Sequence, residues 1–280
     1  MLTLNPFSED SMTPLRQRMI QDLQLQGYSD RTVEAYVRSV AQLARFYHAS
    51  PDTLTEEPLR DYLVRLTTVQ KGARGTHTIA LCGLKFFYQH TLGREWTVLK
   101  VARPKGEQKL PVVLSRGEVW QILDHLRLPV YRVCLTTIYA CGLRLMEGVR
   151  LQVPDVDGDR KLLHIHGKRR KDRYVPLPDA TLELLRTHWR SHRNPLWLFP
   201  TITRSHAGVL SDPAVGPISR ASLQSAFVRA VKASGVHKRA HVHTLRHSYA
   251  THLLEAGVNL RLIQEYLATP APKRPPSTRT

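Results

Sequence analysis

Three short segments in the second half of the sequence place cationic side chains where they could bind a phosphate group. The segment CGLRLMEG contains Arg144, and Glu147 follows three residues later, close enough to orient the guanidinium by a charge-assisted hydrogen bond. The segment HGKRRKDRYVPL places Lys168 at the start of a predicted hairpin turn. The segment HVHTLRHSYATHLLEAG places His243 and Arg246 on one face at the start of a predicted helix, whose amide groups point toward the same ligand.

Each segment also has a plain structural interpretation. Arg144 and Glu147 could form an ordinary ion pair, and the basic cluster around Lys168 could be a solvated turn. Four histidines of the third segment could bind zinc or could be surface and core residues: His241, His243, His247 and His252. Metalloprotease helices place a glutamate next to the first histidine, and this segment has Thr244 and Leu245 instead. We therefore expect no metal and no other cofactor.

The charge of the chain indicates a polyanionic partner. Its 280 residues include 41 Lys and Arg against 23 Asp and Glu, a formal net charge of +18, which attracts nucleic acid through its long-range field and through counterion release. No apolar run approaches the roughly 18 to 20 residues of a membrane-spanning helix, and no signal segment opens the chain. We expect a soluble, intracellular protein that binds nucleic acid and has no membrane partner.

The three cysteines indicate no disulfide or zinc framework. Cys82, Cys134 and Cys141 lie in apolar segments of helical appearance and form no CxxC pair. We predict that all three are small core residues.

Apolar spacing predicts a small helical domain over residues 14–93. Pro14 begins a first helix that ends near Gly27, and Ser29 can cap a second. Two further helices are predicted over residues 58–66 and 76–90. The packed side of the last helix is expected to contain Ile79, Leu81, Leu84, Phe87 and Tyr88.

A second domain is predicted over residues 115–267, after an exposed linker over 100–114 that is rich in proline and charge. Ser115 and Glu118 form a candidate capping box at its start. Its predicted helices cover 115–126, 130–141, 181–189, 219–234, 244–255 and a last segment ending at Leu267; strands 161–166 and 173–177 flank a turn, and 201–217 is expected to be a loop. The fold class is therefore mainly α with a small β-sheet, and the tail over 268–280 is expected to be disordered.

Together and in order, the three cationic segments resemble the phage integrase, or tyrosine recombinase, family. The string HVHTLRHSYATHLLEAGVNLRLIQEYL is rarely met outside that family, and LRQRMIQDLQLQGYSDRTVEAYVRSVAQLARFY is similar to its core-binding domain. The resemblance spans about residues 14–267 and implies an N-terminal helical, SAM-like core-binding domain followed by an α+β catalytic domain. It also implies integration or site-specific recombination of double-stranded DNA, by subunits that in an intact form assemble as a synaptic tetramer. The resemblance further implies a location in the bacterial cytoplasm, with association to the nucleoid when the protein is bound to DNA.

The chemistry of this family suits the candidate residues. Two guanidiniums, Arg144 and Arg246, can neutralise the charge that develops on the non-bridging phosphate oxygens during strand cleavage, without a metal. The resemblance implies that Lys168 protonates the departing 5′-oxygen, that His243 transfers a proton or binds the phosphate, and that Glu147 supports Arg144. A 3′-phosphotyrosine intermediate conserves the energy of the broken bond, so that no ATP is needed.

The family pattern is interrupted after the final helix. It continues with a Gly-His pair and then the nucleophilic tyrosine, and these positions fall at Ala268, Thr269 and Thr278. The nearest tyrosine, Tyr266, has the spacing of a packing residue. One extra base after the Leu267 codon allows the tail to spell GHPSPKTTxIYTH, so we interpret the tail as a frameshift, by mutation or sequence error, that impairs catalysis. The alternative is a DNA-binding protein without catalysis, and a third possibility is a histidine-metal nuclease.

Overall fold

The computed structural model describes two compact units, one within residues 1–108 and one within 109–280. The described residues are 13–68, 74–96, 98, 110–167, 172–201, 203–205, 208–210 and 216–267. Most of the predicted linker and all of the tail over 268–280 therefore lie outside them. Leu114, at the end of the predicted linker, is fully buried in the second unit, where its backbone N–H donates to Ser248 Oγ at 2.9 Å.

The described part of the first unit is helical. Its α-helices are α1 (Pro14–Leu25), α2 (Asp30–Tyr47), α3 (Glu56–Thr68) and α4 (Arg74–Phe86), which a π-helical turn (Phe87–Thr91) continues. Pro14 begins α1 as predicted, and the Thr13 hydroxyl caps it by accepting from the Arg16 N–H at 3.2 Å. Helix α1 ends at Leu25, and Gly27 follows in the left-handed conformation, with a φ of 72°, that commonly terminates a helix.

Close packing of α4 on α2 forms the centre of this unit. A Cβ at Gly83 would lie 2.9 Å from the Tyr36 Cα, so the two backbones approach at a distance that requires glycine. Leu84 is fully buried on the same face. Ile79 and Cys82 are exposed, which corrects two of the predicted core positions. Composition alone does not reveal which apolar residues of a helix are covered by a partner and which remain accessible to solvent.

The described part of the second unit consists of helices and two small sheets. Its α-helices are α5 (Arg116–Asp124), α6 (Pro129–Ala140), α7 (Leu145–Val149), α8 (Asp179–His192), α9 (Arg220–Ala233), α10 (Val242–Glu255) and α11 (Leu260–Leu267). Helix α6 packs against both α8 and α10. The predicted capping box of α5 is present, with the Ser115 N–H donating to Glu118 and the Glu118 N–H donating to Ser115. Cys134 and Cys141 are buried as predicted, and burial raises the pKa of both thiols.

A three-stranded antiparallel sheet carries the predicted hairpin. Its strands are β1 (Val156–Asp157), β2 (Leu162–Ile165) and β3 (Arg173–Pro176), in the order β1-β2-β3. Leu163 pairs with Val175, and Ile165 pairs with Arg173. Because all four of these side chains are buried, Arg173 occupies the core-facing side of a strand.

The region predicted as a loop over 201–217 contains two short strands. β4 (Thr203–Ser205) and β5 (Gly208–Leu210) pair antiparallel as a separate hairpin. A three-residue strand is too short to display the alternating pattern from which strands are predicted, and its pairing partner supplies the hydrogen bonds that define it.

No described helix of the model has both the length and the apolar character to cross a membrane.

Candidate functional site

A tight turn between α6 and α7 positions Arg144. The helix ends at Ala140, and Gly142 takes a φ of 61°, so that the chain reverses and Leu143 donates back to the Ile138 carbonyl at 3.0 Å. Arg144 then caps α7, and its backbone N–H donates to Glu147 Oε2 at 2.7 Å. The backbone of this turn therefore fixes the point from which the Arg144 side chain extends.

We expect Gly142→Ala to destabilise the second unit by about 2–5 kcal/mol. A Cβ at this position would overlap the Tyr249 ring and lie 3.1 Å from Leu267 Cδ2, and the left-handed backbone adds strain. Gly235→Ala is the matched control, because Gly235 has a φ of 73° but nothing within 4 Å of its Cβ position. It should cost only the strain of about 1–2 kcal/mol. Urea unfolding of both variants measures the difference, and equal losses would contradict the packing argument.

Glu147 lies at the centre of three arginines. Its side chain is 10% exposed and accepts from Arg144 Nη1 at 2.8 Å, the contact that the sequence predicts. Arg173 donates to both carboxylate oxygens, at 3.0 and 2.7 Å, and Arg246 Nη1 lies 3.7 Å from Oε2. Burial raises the pKa of Glu147, but the hydrogen bonds from Arg173 and Arg144 outweigh it and lower the pKa to about 2. The carboxylate is therefore ionised at neutral pH and holds the guanidiniums in place.

Arg173 is a member of this cluster that the sequence analysis did not single out. Its side chain is 7% exposed, and besides Glu147 it binds the Tyr266 carbonyl through Nε at 2.6 Å. The sequence does contain a signal, since Arg173 shares the two-residue period of Val175 and Leu177, which are buried. A charged side chain on the buried side of a strand needs a partner of opposite charge or a hydrogen-bond partner.

Arg246, in the first turns of α10, belongs to the same cluster around Glu147. Its side chain is 11% exposed, and it donates to the Gly142 carbonyl at 2.6 Å and to the Leu267 carbonyl. Burial, followed by the charge of Arg144, lowers the pKa of Arg246 to about 10, so the guanidinium stays protonated at neutral pH. Arg144 Nη2 also donates to the Leu267 carbonyl, at 3.4 Å. Two guanidiniums thus converge on one oxygen at the end of α11.

His243 lies on the exposed side of α10, one turn before Arg246. Partial burial, followed by the neighbouring His241 and His247 and by the charges of Arg246 and Arg144, lowers its pKa. The imidazole is therefore neutral at pH 7 and able to accept a proton.

The other histidines of this segment have different surroundings. His241 caps α10, with its backbone N–H donating to Thr244 Oγ1 at 3.1 Å. His252 is buried and forms a 2.9 Å hydrogen bond with the Tyr139 hydroxyl, which is a structural contact.

Among the described residues, the structure brings together Arg144, Glu147, Arg173 and Arg246. Two predicted positions, Lys168 and Thr278, lie outside the described residues. Converging guanidiniums held by a buried carboxylate can bind a phosphate and stabilise negative charge that develops on its oxygens. The cluster is therefore a candidate phosphate-binding site.

Comparison with known families agrees with this fold. Residues 15–98 match the phage integrase N-terminal SAM-like domain, and residues 112–268 match the phage integrase family. The chain belongs to the phage integrase family of tyrosine recombinases. Its fold is accordingly a helical SAM-like domain followed by an α+β recombinase domain, and its class of activity is site-specific DNA recombination and integration, with DNA binding.

Individual relatives are similar over most of the chain. A putative integrase/recombinase (y4qK) of Sinorhizobium fredii is 41% identical over 255 residues, which cover 90% of this chain and 80% of that protein. An integrase/recombinase of Escherichia coli is 33% identical, with 86% of this chain and 81% of that protein covered. The structure of a lambda integrase dimer bound to a core site has the same fold, with a TM-score of 0.72 at 16% identity, over 92% of this chain and 94% of that one.

Proposed function

We propose that this chain derives from a site-specific recombinase that cuts and rejoins DNA, and that the arginine cluster is its phosphate-binding site. The observation that carries the proposal is the convergence of Arg144 and Arg246 on one oxygen, the Leu267 carbonyl. A phosphate oxygen on bound DNA would replace that carbonyl as the acceptor. Glu147 is the positioning residue, because it binds the Arg144 guanidinium and its backbone together.

Strand cleavage in this scheme exchanges one oxygen–phosphorus bond for another. A tyrosine hydroxyl forms the new oxygen–phosphorus bond, the bond to the 5′-oxygen breaks, and that oxygen leaves with the electron pair. Arg144 and Arg246 neutralise the added charge on the non-bridging oxygens. Lys168 supplies the proton to the 5′-oxygen. Neutral His243 either accepts the proton that the tyrosine hydroxyl gives up or donates a hydrogen bond to the phosphate, in which case water accepts that proton.

The printed sequence lacks the nucleophile for this reaction. The position that the family pattern assigns to it is Thr278, and the match to the family model ends at residue 268. Tyr266 does not replace it in our proposal, because its ring packs partly buried against the core and its carbonyl binds Arg173. The chain is therefore expected to bind DNA with impaired cleavage, as a frameshifted recombinase. A dedicated DNA-binding protein is the second candidate, favoured by the absence of tyrosine from residues 268–280.

The partners follow from the same scheme. Duplex DNA is the substrate, residues 14–93 are the core-binding domain, and residues 115–267 are the catalytic domain. Solved structures with a related fold include a lambda integrase tetramer on a Holliday junction, which matches with a TM-score of 0.72 at 17% identity. We propose that an intact form of this protein likewise assembles with further copies of itself on paired DNA sites, in the bacterial cytoplasm.

Binding of duplex DNA should depend strongly on salt. A chain of net charge +18 is expected to neutralise several phosphates, each contributing close to one unit to the slope of log affinity against log salt. With six or more such contacts, affinity falls by about a thousandfold or more between roughly 50 and 200 mM salt. Fluorescence anisotropy with a labelled duplex measures the slope. Competition with heparin shows how much of the binding is non-specific. An affinity that does not change over this range would contradict the proposal.

A further inference from the structure

Four side chains with metal-binding atoms lie close together beside the end of the β2–β3 hairpin. Asp155, His164 and His166 each offer one ligand atom, and these atoms lie within 4.8 Å of one another. His166 Nε2 is 3.0 Å from Asp155 Oδ1. Asp172 Oδ2 is 3.3 Å from His164 Nε2 and 3.5 Å from His166 Nδ1. This cluster is separate from the arginine cluster, and neither histidine has a part in the proposed cleavage reaction.

The sheet brings these residues together from separate parts of the sequence. His164 and His166 share one face of β2 and its extension, opposite the buried Leu163, because side chains alternate along a strand. Val156 pairs with Leu163, which brings the preceding residue, Asp155, level with His164. Their proximity is therefore a product of the antiparallel register.

Backbone groups hold both carboxylates in place. Asp155 is 6% exposed, and its Oδ2 accepts from the Gln152 N–H at 2.8 Å, so that Oδ1 is directed at His166. Asp172 Oδ1 accepts from the Gly167 N–H at 3.0 Å, which leaves Oδ2 to the two histidines. Ligands that are oriented by hydrogen bonds on their other oxygen are typical of protein metal sites.

The spacing between Asp155 and His166 is close to that of two ligands of one ion. Zinc binds histidine nitrogen and carboxylate oxygen at about 2.0–2.2 Å, so that two ligands of one tetrahedral ion lie about 3.3–3.5 Å apart. His166 Nε2 and Asp155 Oδ1 are 3.0 Å apart, whereas Asp172 faces the other ring nitrogen of His166, Nδ1. His164 also stacks on Tyr174, with ring centroids 5.0 Å apart, which restricts the orientation of its imidazole.

We propose that Asp155, His164 and His166 bind a divalent zinc-class ion, with water as the fourth ligand, and that Asp172 positions His166 from its other ring nitrogen. Imidazole and carboxylate together select Zn²⁺ and neighbouring transition metals over Mg²⁺ and Ca²⁺, which prefer oxygen alone. His166 and Asp172 lie on either side of residues 167–171 in the sequence, so their contact would hold the two ends of that segment together. This proposal departs from our expectation that the protein binds no metal. That expectation was argued from the histidines of the 241–252 segment.

Metal titration of the full chain, without DNA, tests the proposal. The chelator-treated protein should bind one equivalent of Co²⁺, with the visible absorption of tetrahedral nitrogen and oxygen coordination, and Zn²⁺ should displace it. His166→Gln and Asp155→Asn should each weaken Zn²⁺ binding by at least about tenfold. His125→Gln is the matched control, because His125 is exposed and bonds only the Gln121 carbonyl of its own helix among the contacts described, and it should bind as the parent does.

Two results would overturn the metal site. If the parent chain shows no saturable binding, the cluster is a hydrogen-bonded network in which His166 bridges Asp155 and Asp172. If the double variant His164→Gln/His166→Gln retains one bound ion, the ion lies elsewhere. Because His166 is exposed, its replacement leaves the fold intact, and circular dichroism checks this. The titration involves no DNA, so its failure would leave the proposed function untouched.

Discussion

The 280-residue chain is expected to bind a nicked suicide duplex without forming a covalent protein–DNA adduct. A suitable duplex carries a sequence that the chain itself selects from a random pool. Arg144 and Arg246 can bind the phosphate, but the position that the family pattern assigns to the nucleophile is Thr278. Loss of a nucleophile removes most of the rate and leaves binding groups intact, since the two contribute to different steps. Denaturing gel electrophoresis detects the adduct, and anisotropy confirms that binding persists.

Repair of the tail should restore the adduct. Replacing the residues after Leu267 by the one-base-shifted frame introduces a tyrosine at position 278, and changing that tyrosine to Phe should abolish the adduct again. In the repaired chain, Arg246→Ala should lower the rate of adduct formation by about 10²–10³-fold, because a charge-stabilising donor is lost. The change of the tyrosine to Phe tests the nucleophile, and Arg246→Ala tests the phosphate site. The two contributions to adduct formation are therefore measured separately.

Two outcomes would contradict this scheme. An adduct formed by the unrepaired chain and lost on Tyr266→Phe would mean that Tyr266 is the nucleophile. An adduct that never appears, even with the repaired tail, would favour a dedicated DNA-binding protein.

Replacement of Glu147 should give a large loss of stability. Glu147→Gln removes the negative charge shared by Arg144, Arg173 and Arg246 and leaves Arg173 buried without it. Breaking a buried ion pair from one side costs about 3–5 kcal/mol. Urea unfolding of the full chain measures the loss. Glu183→Gln is the control, because its ion pairs with Arg186 and Arg190 are exposed and contribute under about 1 kcal/mol.

The same carboxylate should make stability depend on acid pH. The pKa of Glu147 is lowered from 4.5 to about 2 on folding, so the unfolded chain binds the proton more readily. Its contribution is therefore fully present above about pH 4.5 and is lost as the pH falls toward 2, by about 3 kcal/mol in total. The difference in unfolding free energy between the parent and Glu147→Gln should shrink over this window. A constant difference would show that ionisation of Glu147 is not what stabilises the fold, and a variant within 1 kcal/mol of the parent at pH 7 would show that Glu147 is dispensable.

Much of the fold could be predicted because it depends on neighbours in the chain. The capping box of Ser115 and Glu118 joins residues three apart, and so does the contact between Arg144 and Glu147. Helical interactions at this spacing are encoded locally. Helix bounds were accordingly predicted to within a few residues, whereas the short strands β4 and β5 were missed because each depends on the other for its hydrogen bonds.

The sequence alone determined the family, the two helical regions and the cationic segments, because residue type and local spacing carry that information. Tertiary structure decided which distant groups meet. Arg173 reaches Glu147 because strand register turns it inward, and the Leu267 carbonyl reaches two arginines because α11 ends beside α7 and α10. Asp155 meets His166 for the same kind of reason. Contacts between residues far apart in the chain are set by packing and register, which no single segment specifies.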